Sequence, residues 1–320
     1  MARAVWVTSD FLKDNAYAKS LGNILIVETI DYSSPSLGRD LKESLRSSGF
    51  AVLRNQPIAP ERVSELYLAW AEFFATDDKF SYLFEPSRQD GYFPLYSENA
   101  KSTATKDLKE FFHVYSDARL PPNLEVETRK IFGALLDLGT ELLELLEKEL
   151  PKRVARLFSI PMSDMLRGSE QNLLRVVHYP PIDNPEIGAM RAAPHEDINL
   201  ITLLLPGSRS GLQALDADGQ WHDVPHDPGT ITINTGDMLS MASDHYFPST
   251  THRVVNPRPE ENVSRYSMPV GLLRGGCTPP YTLRSRSIDN FRPRSIAISR
   301  STSSVFKGPV KEASTLCDNT

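Results

Sequence analysis

The sequence predicts a mainly β protein with flanking helices, its core a jelly roll or related barrel, and three observations carry that prediction. From Leu173 onward, short apolar or β-branched runs alternate with turn residues, the spacing of a strand-rich core. Before them, from about Pro122 to Leu150, apolar residues recur every three or four positions, as in a long amphipathic helix. Ahead of that helix, strand-like and helix-like runs alternate. The expected organisation is one structural domain: residues 1–165 as an α/β elaboration packed on the core, 166–273 as the β core, and 274–320 as a tail.

Taken in order, Ile24 to Ile30 reads as a strand by its β-branched content. A helix follows to Ser48, with Gly49 just past its end. Ser34 is its expected N-cap because Pro35 would then take the first helical position, with Ser36 as the alternative. Phe50–Arg54 is a short strand, and Pro60 opens a second helix whose Val63, Leu66, Trp70 and Phe73 share one face. Residues 80–120 resist assignment but are dense in aromatics. The long helix carries Ile131, Leu135, Leu138, Leu142 and Leu145 as its stripe, too short for a coiled coil and suited to backing a sheet.

Strands are then expected at Leu173–Tyr179, at Leu200–Leu205 (apolar enough to be buried on both faces), at Thr230–Asn234, Thr250–Val255 and Arg265–Leu272. Asp218-Gly219, between Leu212–Leu215 and Trp221–Val224, predicts a two-residue hairpin turn. The tail from residue 274 holds eight Lys or Arg against three acids and is rich in Ser. That composition predicts poor order from about residue 283.

Composition narrows the function. A net charge of -6 argues against a nucleic-acid surface, which needs clustered cations. No apolar run of about 18 residues is present, so no membrane span is expected. The first ten residues lack the apolar stretch of a signal peptide, and two cysteines make a poor disulfide framework. A cytoplasmic monomer acting on a small molecule is the expectation.

The chemistry concentrates between Pro194 and Ser267. His195 and Asp197 stand at i and i+2, so an extended chain turns both to one side and Glu196 to the other. His252 lies 55 positions beyond Asp197 and must come from a strand folded back over the first. Two imidazoles and one carboxylate on one face of a metal leave the opposite positions open. Thirteen residues after His252, Arg265 and Ser267 again share a strand face, and a guanidinium beside a hydroxyl suits a carboxylate.

His-x-Asp, a later His and Arg-x-Ser, in that order, resemble the isopenicillin N synthase-like branch of the Fe(II)- and 2-oxoglutarate-dependent oxygenases. Tyr179-Pro180-Pro181, Gly211-Leu212-Gln213, Trp221, Asn234-x-Gly236-Asp237 and His252-Arg253-Val254 agree, and the resemblance covers roughly residues 20–273. It implies a distorted double-stranded β-helix and an oxidoreductase, a dioxygenase of secondary metabolism that hydroxylates, desaturates or cyclises a small organic substrate with release of succinate and CO2. It implies Fe(II) on His195, Asp197 and His252. It also implies O2 and 2-oxoglutarate as cosubstrates, the latter's distal carboxylate meeting Arg265, Ser267 and Tyr179. Because Asp197 is a carboxylate, halogenation, which needs that position emptied, is disfavoured. A 2-oxoglutarate-independent oxidase like isopenicillin N synthase is the alternative, and a non-catalytic small-molecule-binding jelly roll is a further one.

Tyr92, Phe93, Phe111 and His113 are candidates for substrate contact by resemblance, since that region borders the mouth of similar sites. His245, shortly before the third ligand, is another candidate. His178 alternates with Tyr179 and is expected to be structural, while His222 and His226 sit among prolines and are expected in loops. The resemblance predicts a closing strand and terminal helix after Leu273, which the tail's composition does not support.

Overall fold

Period-two alternation decides the architecture, because each central strand has one face for the helices and another for the site. The computed structural model describes residues 27–98, 105–183 and 185–275. The elaboration contributes β1 (Thr29–Asp31), α1 (Leu37–Ser48), β2 (Phe50–Arg54), α2 (Pro60–Ala75), β3 (Gly91–Phe93) and β4 (Glu110–Val114). Next come α3 (Pro122–Glu149), the short helices α4 (Lys152–Ala155) and α5 (Met162–Leu166), and β5 (Leu173–Tyr179). The remainder is β6 (Ala192–His195), β7 (Ile201–Leu204), β8 (Leu212–Leu215), β9 (Trp221–Asp223) and β10 (Ile231–Thr235). It closes with α6 (Asp237–Ala242), β11 (His252–Val254), β12 (Arg265–Ser267) and β13 (Pro269–Leu272).

The strands form two sheets. The larger runs β1-β2-β10-β7-β13-β5-β4-β3, with β12 also on β5, and the smaller runs β6-β11-β8-β9. Only β1 and β2 pair in parallel; the other ladders are antiparallel. The larger sheet thus takes strands from both sides of residue 165.

Each face of the larger sheet has its own partner. On one, Leu174, Val176, Leu203 and Val270 join the helices in the main core with Trp70, Ile131 and Leu142. On the other, Phe93, Phe111, Val177 and Tyr179 meet Ala192 and Val254 of the smaller sheet. Farther along, Phe50 and Val52 meet Ala214 and Val224. Mainly β with flanking helices, as the sequence predicts, the fold encloses a space between two sheets that apolar and polar side chains share.

Several local expectations need correction. The helix α1 starts at Leu37 with Ser36, not Ser34, at its cap, and Pro35 lies outside it. Ser33 and Ser34 are instead drawn back to Asp31, whose side chain accepts from the Ser33 N–H and whose carbonyl accepts from the Ser34 N–H. Strand β1 begins only at Thr29, and residues 24–26 lie outside the described residues. In α3 the buried stripe ends on Leu146, while Leu145 sits at its flank, because a 3.6-residue helix drifts off a seven-residue repeat. The β8–β9 hairpin is real but its loop is longer than two residues. The Asp216 carboxylate accepts from the N–H groups of Asp218 and Gln220. The expectation for residue 283 onward falls outside the described residues.

Gly49 ends α1 in the left-handed region at φ 71°. A Cβ there would lie 2.4 Å from Thr250 Oγ1 and 2.8 Å from the Pro248 carbonyl oxygen. Gly49→Ala is therefore expected to destabilise the fold by about 1–3 kcal/mol. Thermal denaturation checks this, and an unchanged midpoint would refute the close approach.

Candidate metal and cosubstrate site

His195 ends β6 and His252 opens β11, and the two pair directly across that ladder. Their rings lie 4.4 Å apart between centroids. Asp197 follows β6 in irregular backbone, yet its Oδ1 comes within 3.9 Å of His252 Nε2. The ligand atoms of the three residues all lie within 4.8 Å of one another. Glu196 turns away and accepts a hydrogen bond from Thr251.

The surroundings fix how each group presents itself. His195 Nδ1 lies 2.8 Å from the Ala193 carbonyl and His252 Nδ1 lies 3.1 Å from the Thr250 carbonyl. A carbonyl can only accept, so each Nδ1 carries the proton and each Nε2 keeps a lone pair, as metal ligation needs. Burial, then the neighbouring His252, pulls His195 down to about 4, so it is neutral near pH 7. Burial alone would raise Asp197, but His252, His195, Asn234 and Thr202 outweigh it and hold the carboxyl at about 2.

Asp197 Oδ2 accepts from Thr202 Oγ1 and, at 2.9 Å, from Asn234 Nδ2, leaving Oδ1 toward the imidazoles. Asn199 in turn donates to Thr202 at 2.8 Å. The Asn234-x-Gly236-Asp237 run now has a physical reason. Asn234 orients the carboxylate, the Asp237 N–H donates to the Asp197 carbonyl at 2.7 Å, and a Cβ on Gly236 would come within 2.3 Å of the Asn199 carbonyl. Asn234→Ala is expected to weaken divalent-metal affinity about 10–100-fold without unfolding the protein, as metal titration of the apoprotein would measure.

On the larger sheet, Arg265 pairs with Tyr179 and Ser267 with Val177, so all four side chains share the inner face. Arg265 is 2% exposed. Its Nε donates to the carbonyls of Arg209 and Ser210 at 3.0 and 3.1 Å, and its Cζ lies 5.1 Å from the centre of the Tyr179 ring. Its Nη1 is buried with no partner among the described residues. A small cleft opens beside it, lined by Leu204, Gly207, Leu212, Val224 and Thr232 among others. An orphaned guanidinium nitrogen facing such a cleft fits a carboxylate acceptor.

Residues 170–272 match the family model of the 2OG-Fe(II) oxygenase superfamily, and 27–131 match that of the non-haem dioxygenase N-terminal region in morphine synthesis. A solved structure from Shewanella oneidensis, assigned as an oxygenase, is 43% identical with a TM-score of 0.71, covering 78% of this chain and 90% of that one. A 2OG-Fe(II) oxygenase family structure from Caulobacter crescentus is 30% identical with a TM-score of 0.65, covering 78% and 87%. The chain belongs to the 2OG-Fe(II) oxygenase superfamily. A 2-oxoglutarate-dependent dioxygenase of Monascus ruber is 27% identical over 258 residues, 72% of this chain and 76% of its own length. This oxygenase is accordingly an oxidoreductase, a dioxygenase of the Fe(II)- and 2-oxoglutarate-dependent kind, with the double-stranded β-helix core of its relatives.

The other sequence candidates fall on different sides of the oxygenase fold. Phe93, Phe111 and His113 lie on the inner face, where Phe93 stacks on Phe111 at 4.5 Å and meets the tilted His113 ring at 4.6 Å. Tyr92 does not join them: it alternates to the opposite face, packs on Phe74 and donates to Glu110. His245 also departs from expectation. It lines a separate, open cleft with Arg46, Arg153 and Tyr246, because Asp244 and His245 both take positive φ and turn the chain away from the ligands. His178 is structural, held by Glu110 at 2.7 Å and Ser264 at 3.0 Å. His222 bonds Asp216 at 2.6 Å, and His226 bonds the Gly207 carbonyl.

Sequence reasoning missed Arg191. It is 4% exposed, and burial and the nearby Arg265 guanidinium pull it down to about 10, leaving it charged near neutral pH. Its Nη2 donates to the Val263 carbonyl, and neither Arg191 nor Arg265 forms an ion pair among the described residues. A second buried guanidinium beside Arg265 makes this end of the space strongly anion-seeking. The remaining family marks brace the smaller sheet: Arg253 lies 3.9 Å over the Trp221 ring and donates to Gln213.

Proposed function

We propose that His195, Asp197 and His252 hold Fe(II), that Arg265 with Ser267 and Tyr179 anchors the distal carboxylate of 2-oxoglutarate, and that the enzyme oxidises a C–H bond of a small organic molecule. The observation that carries this reading is the three-residue cluster with both Nδ1 atoms tied to carbonyls, beside a buried guanidinium that has a free nitrogen. Bound Fe(II) and 2-oxoglutarate together supply the oxidising power drawn from O2, with succinate and CO2 as by-products.

The chain's own residues do the positioning. Thr202 and Asn234 hold one oxygen of Asp197 and so leave a single oxygen for the metal. Arg265, reinforced by the charge of Arg191, selects a dianionic cosubstrate over a neutral one. Phe93, Phe111 and His113 wall the adjoining inner face and exclude water from it. Because the carboxylate ligand is present, hydroxylation, desaturation or ring closure is favoured over halogenation. Relatives named for 2-oxoglutarate dependence support that cosubstrate over an oxidase.

We further read the chain as a cytoplasmic monomer of one structural domain. Among the described residues no helix is long and apolar enough to cross a membrane, and one sheet includes strands from both sides of residue 165. The test of the whole reading is titration of the anaerobic Fe(II) protein with 2-oxoglutarate, following the weak visible charge-transfer band of the chelate. A band that saturates supports it; no band at millimolar cosubstrate, with no succinate released, overturns it in favour of the oxidase.

A further inference from the structure

Two cation-rich spots sit on the inner face of the larger sheet, and their charge balance differs. At the cosubstrate end, Arg265 and Arg191 have no carboxylate partner among the described residues. The second spot lies at the other end of β5. There Lys109 Nζ lies 2.7 Å from Glu98 and 2.8 Å from Asp107, and Arg175 Nη2 lies 2.8 Å from Glu98. Two positive charges meet two negative ones. Burial opposes the charge on Lys109 and on Glu98, yet the ion pairs win and keep both ionised.

This balanced spot borders the metal residues. Asp107 accepts from the Ala193 N–H, two residues before His195, and Arg175 is close enough to feel the Asp197 charge. It is also aromatic. The Arg175 guanidinium lies 4.2 Å from the centre of the Phe111 ring, which stacks on Phe93. Two of its polar atoms are buried without a partner among the described residues: Arg175 Nε, a donor, and His113 Nε2. Burial and Arg175 take His113 down to about 3 and keep it neutral, against the smaller upward pull of the Gln89 backbone. A neutral ring has one N–H and one lone pair, so the unpartnered Nε2 is an acceptor in the Nδ1–H tautomer.

We infer that this spot recognises the prime substrate, and that the substrate is an uncharged molecule offering a carbonyl oxygen to Arg175 and an N–H or O–H group to His113. Buried donors and acceptors without partners are rare because they are costly, so a pair of them beside a reaction site marks a ligand's position. Like-charge repulsion decides the charge. A substrate carboxylate placed on Arg175 would sit against Glu98, whose own charge already satisfies the guanidinium, whereas a carbonyl meets no such opposition.

The inference rests on the proposed iron site, so the experiment separates the two. Formation of the chelate band with 2-oxoglutarate alone tests the iron site before any probe is added. Matched probes are then titrated into that anaerobic complex, benzamide against benzoate and uracil against orotate, following the shift of the band and the melting temperature. The neutral member of each pair is expected to bind at least about tenfold more tightly than its acid. Arg175→Met should remove that binding while leaving the 2-oxoglutarate constant unchanged. Glu98→Gln, which uncovers the guanidinium charge, should improve acid binding about tenfold or more. If neither neutral probe out-binds its acid in the wild-type protein, including the case where no probe binds, the inference is overturned whatever the variants do. An Arg175→Met protein that loses 2-oxoglutarate affinity equally would make Arg175 merely structural and overturn it too.

Discussion

His195→Ala, Asp197→Ala and His252→Ala should each abolish iron retention and 2-oxoglutarate turnover while the metal-free fold survives. Each removes one of three donors, and three is already the fewest that leave open positions for cosubstrate and O2. Loss of an outer hydrogen bond costs a metal site about 10–100-fold in affinity, and loss of a ligand should cost more. Stability should respond little, because His195 and Asp197 are only partly buried and His252 contributes chiefly an edge-on ring contact with Phe50. The measurement is iron content after anaerobic loading and desalting, beside the melting temperature of the apoprotein. Wild-type iron content in all three would show that the ligands have been misassigned. Asp197→Gly adds a second readout, since azide or chloride should enter the vacated position and alter the spectrum of the loaded protein.

The three ligand candidates were legible in sequence because the geometry that unites them is local. His195 and Asp197 are two apart, and His252 is the direct cross-strand partner of His195. Arg265 and Ser267 were legible for the same reason, as an i, i+2 pair on one strand face. Where strand character was hidden, the same rule could not be applied. Residues 91–93 and 110–114 carry no clear strand pattern, so the sequence groups Tyr92 with Phe93 although alternation puts them on opposite faces.

Other features were illegible because their partners are distant in sequence or depend on backbone twist. Arg175 finds Glu98 across 77 positions, and nothing in the order of residues foretells which acid will neutralise which base. Arg191 precedes β6 as an ordinary surface-type residue, and only the fold buries it beside Arg265. His245 lies seven positions before His252, yet two consecutive positive-φ residues carry it to another surface. Even the cap of α1 turned on such a choice, since Asp31 drew Ser33 and Ser34 into its own turn and left Ser36 at the helix start.

Arg265→Met should leave the apoprotein as stable as the wild type, or more so, while removing most of its stabilisation by 2-oxoglutarate. A guanidinium buried without a counter-ion is costly to the empty fold, and an apolar side chain of similar length relieves that cost. Its Nε bonds to the Arg209 and Ser210 carbonyls return part of the cost, so the net change should be small. Cosubstrate binding reverses the balance. At a concentration of about 100 times the dissociation constant, a ligand stabilises the native state by about 2.7 kcal/mol, equivalent to roughly 4–5 °C for a chain of this size. Losing a charge-assisted hydrogen bond costs about 1.5–3 kcal/mol, a ten- to hundredfold rise in the dissociation constant, so most of that shift should vanish in the variant. Arg265→Lys should fall between the two, because it keeps the charge but not the fork. Melting curves of the Mn(II)-loaded proteins with and without 2-oxoglutarate make the comparison without turnover. An undiminished shift in Arg265→Met would mean that the distal carboxylate is held elsewhere, with Arg191 as the next residue to change.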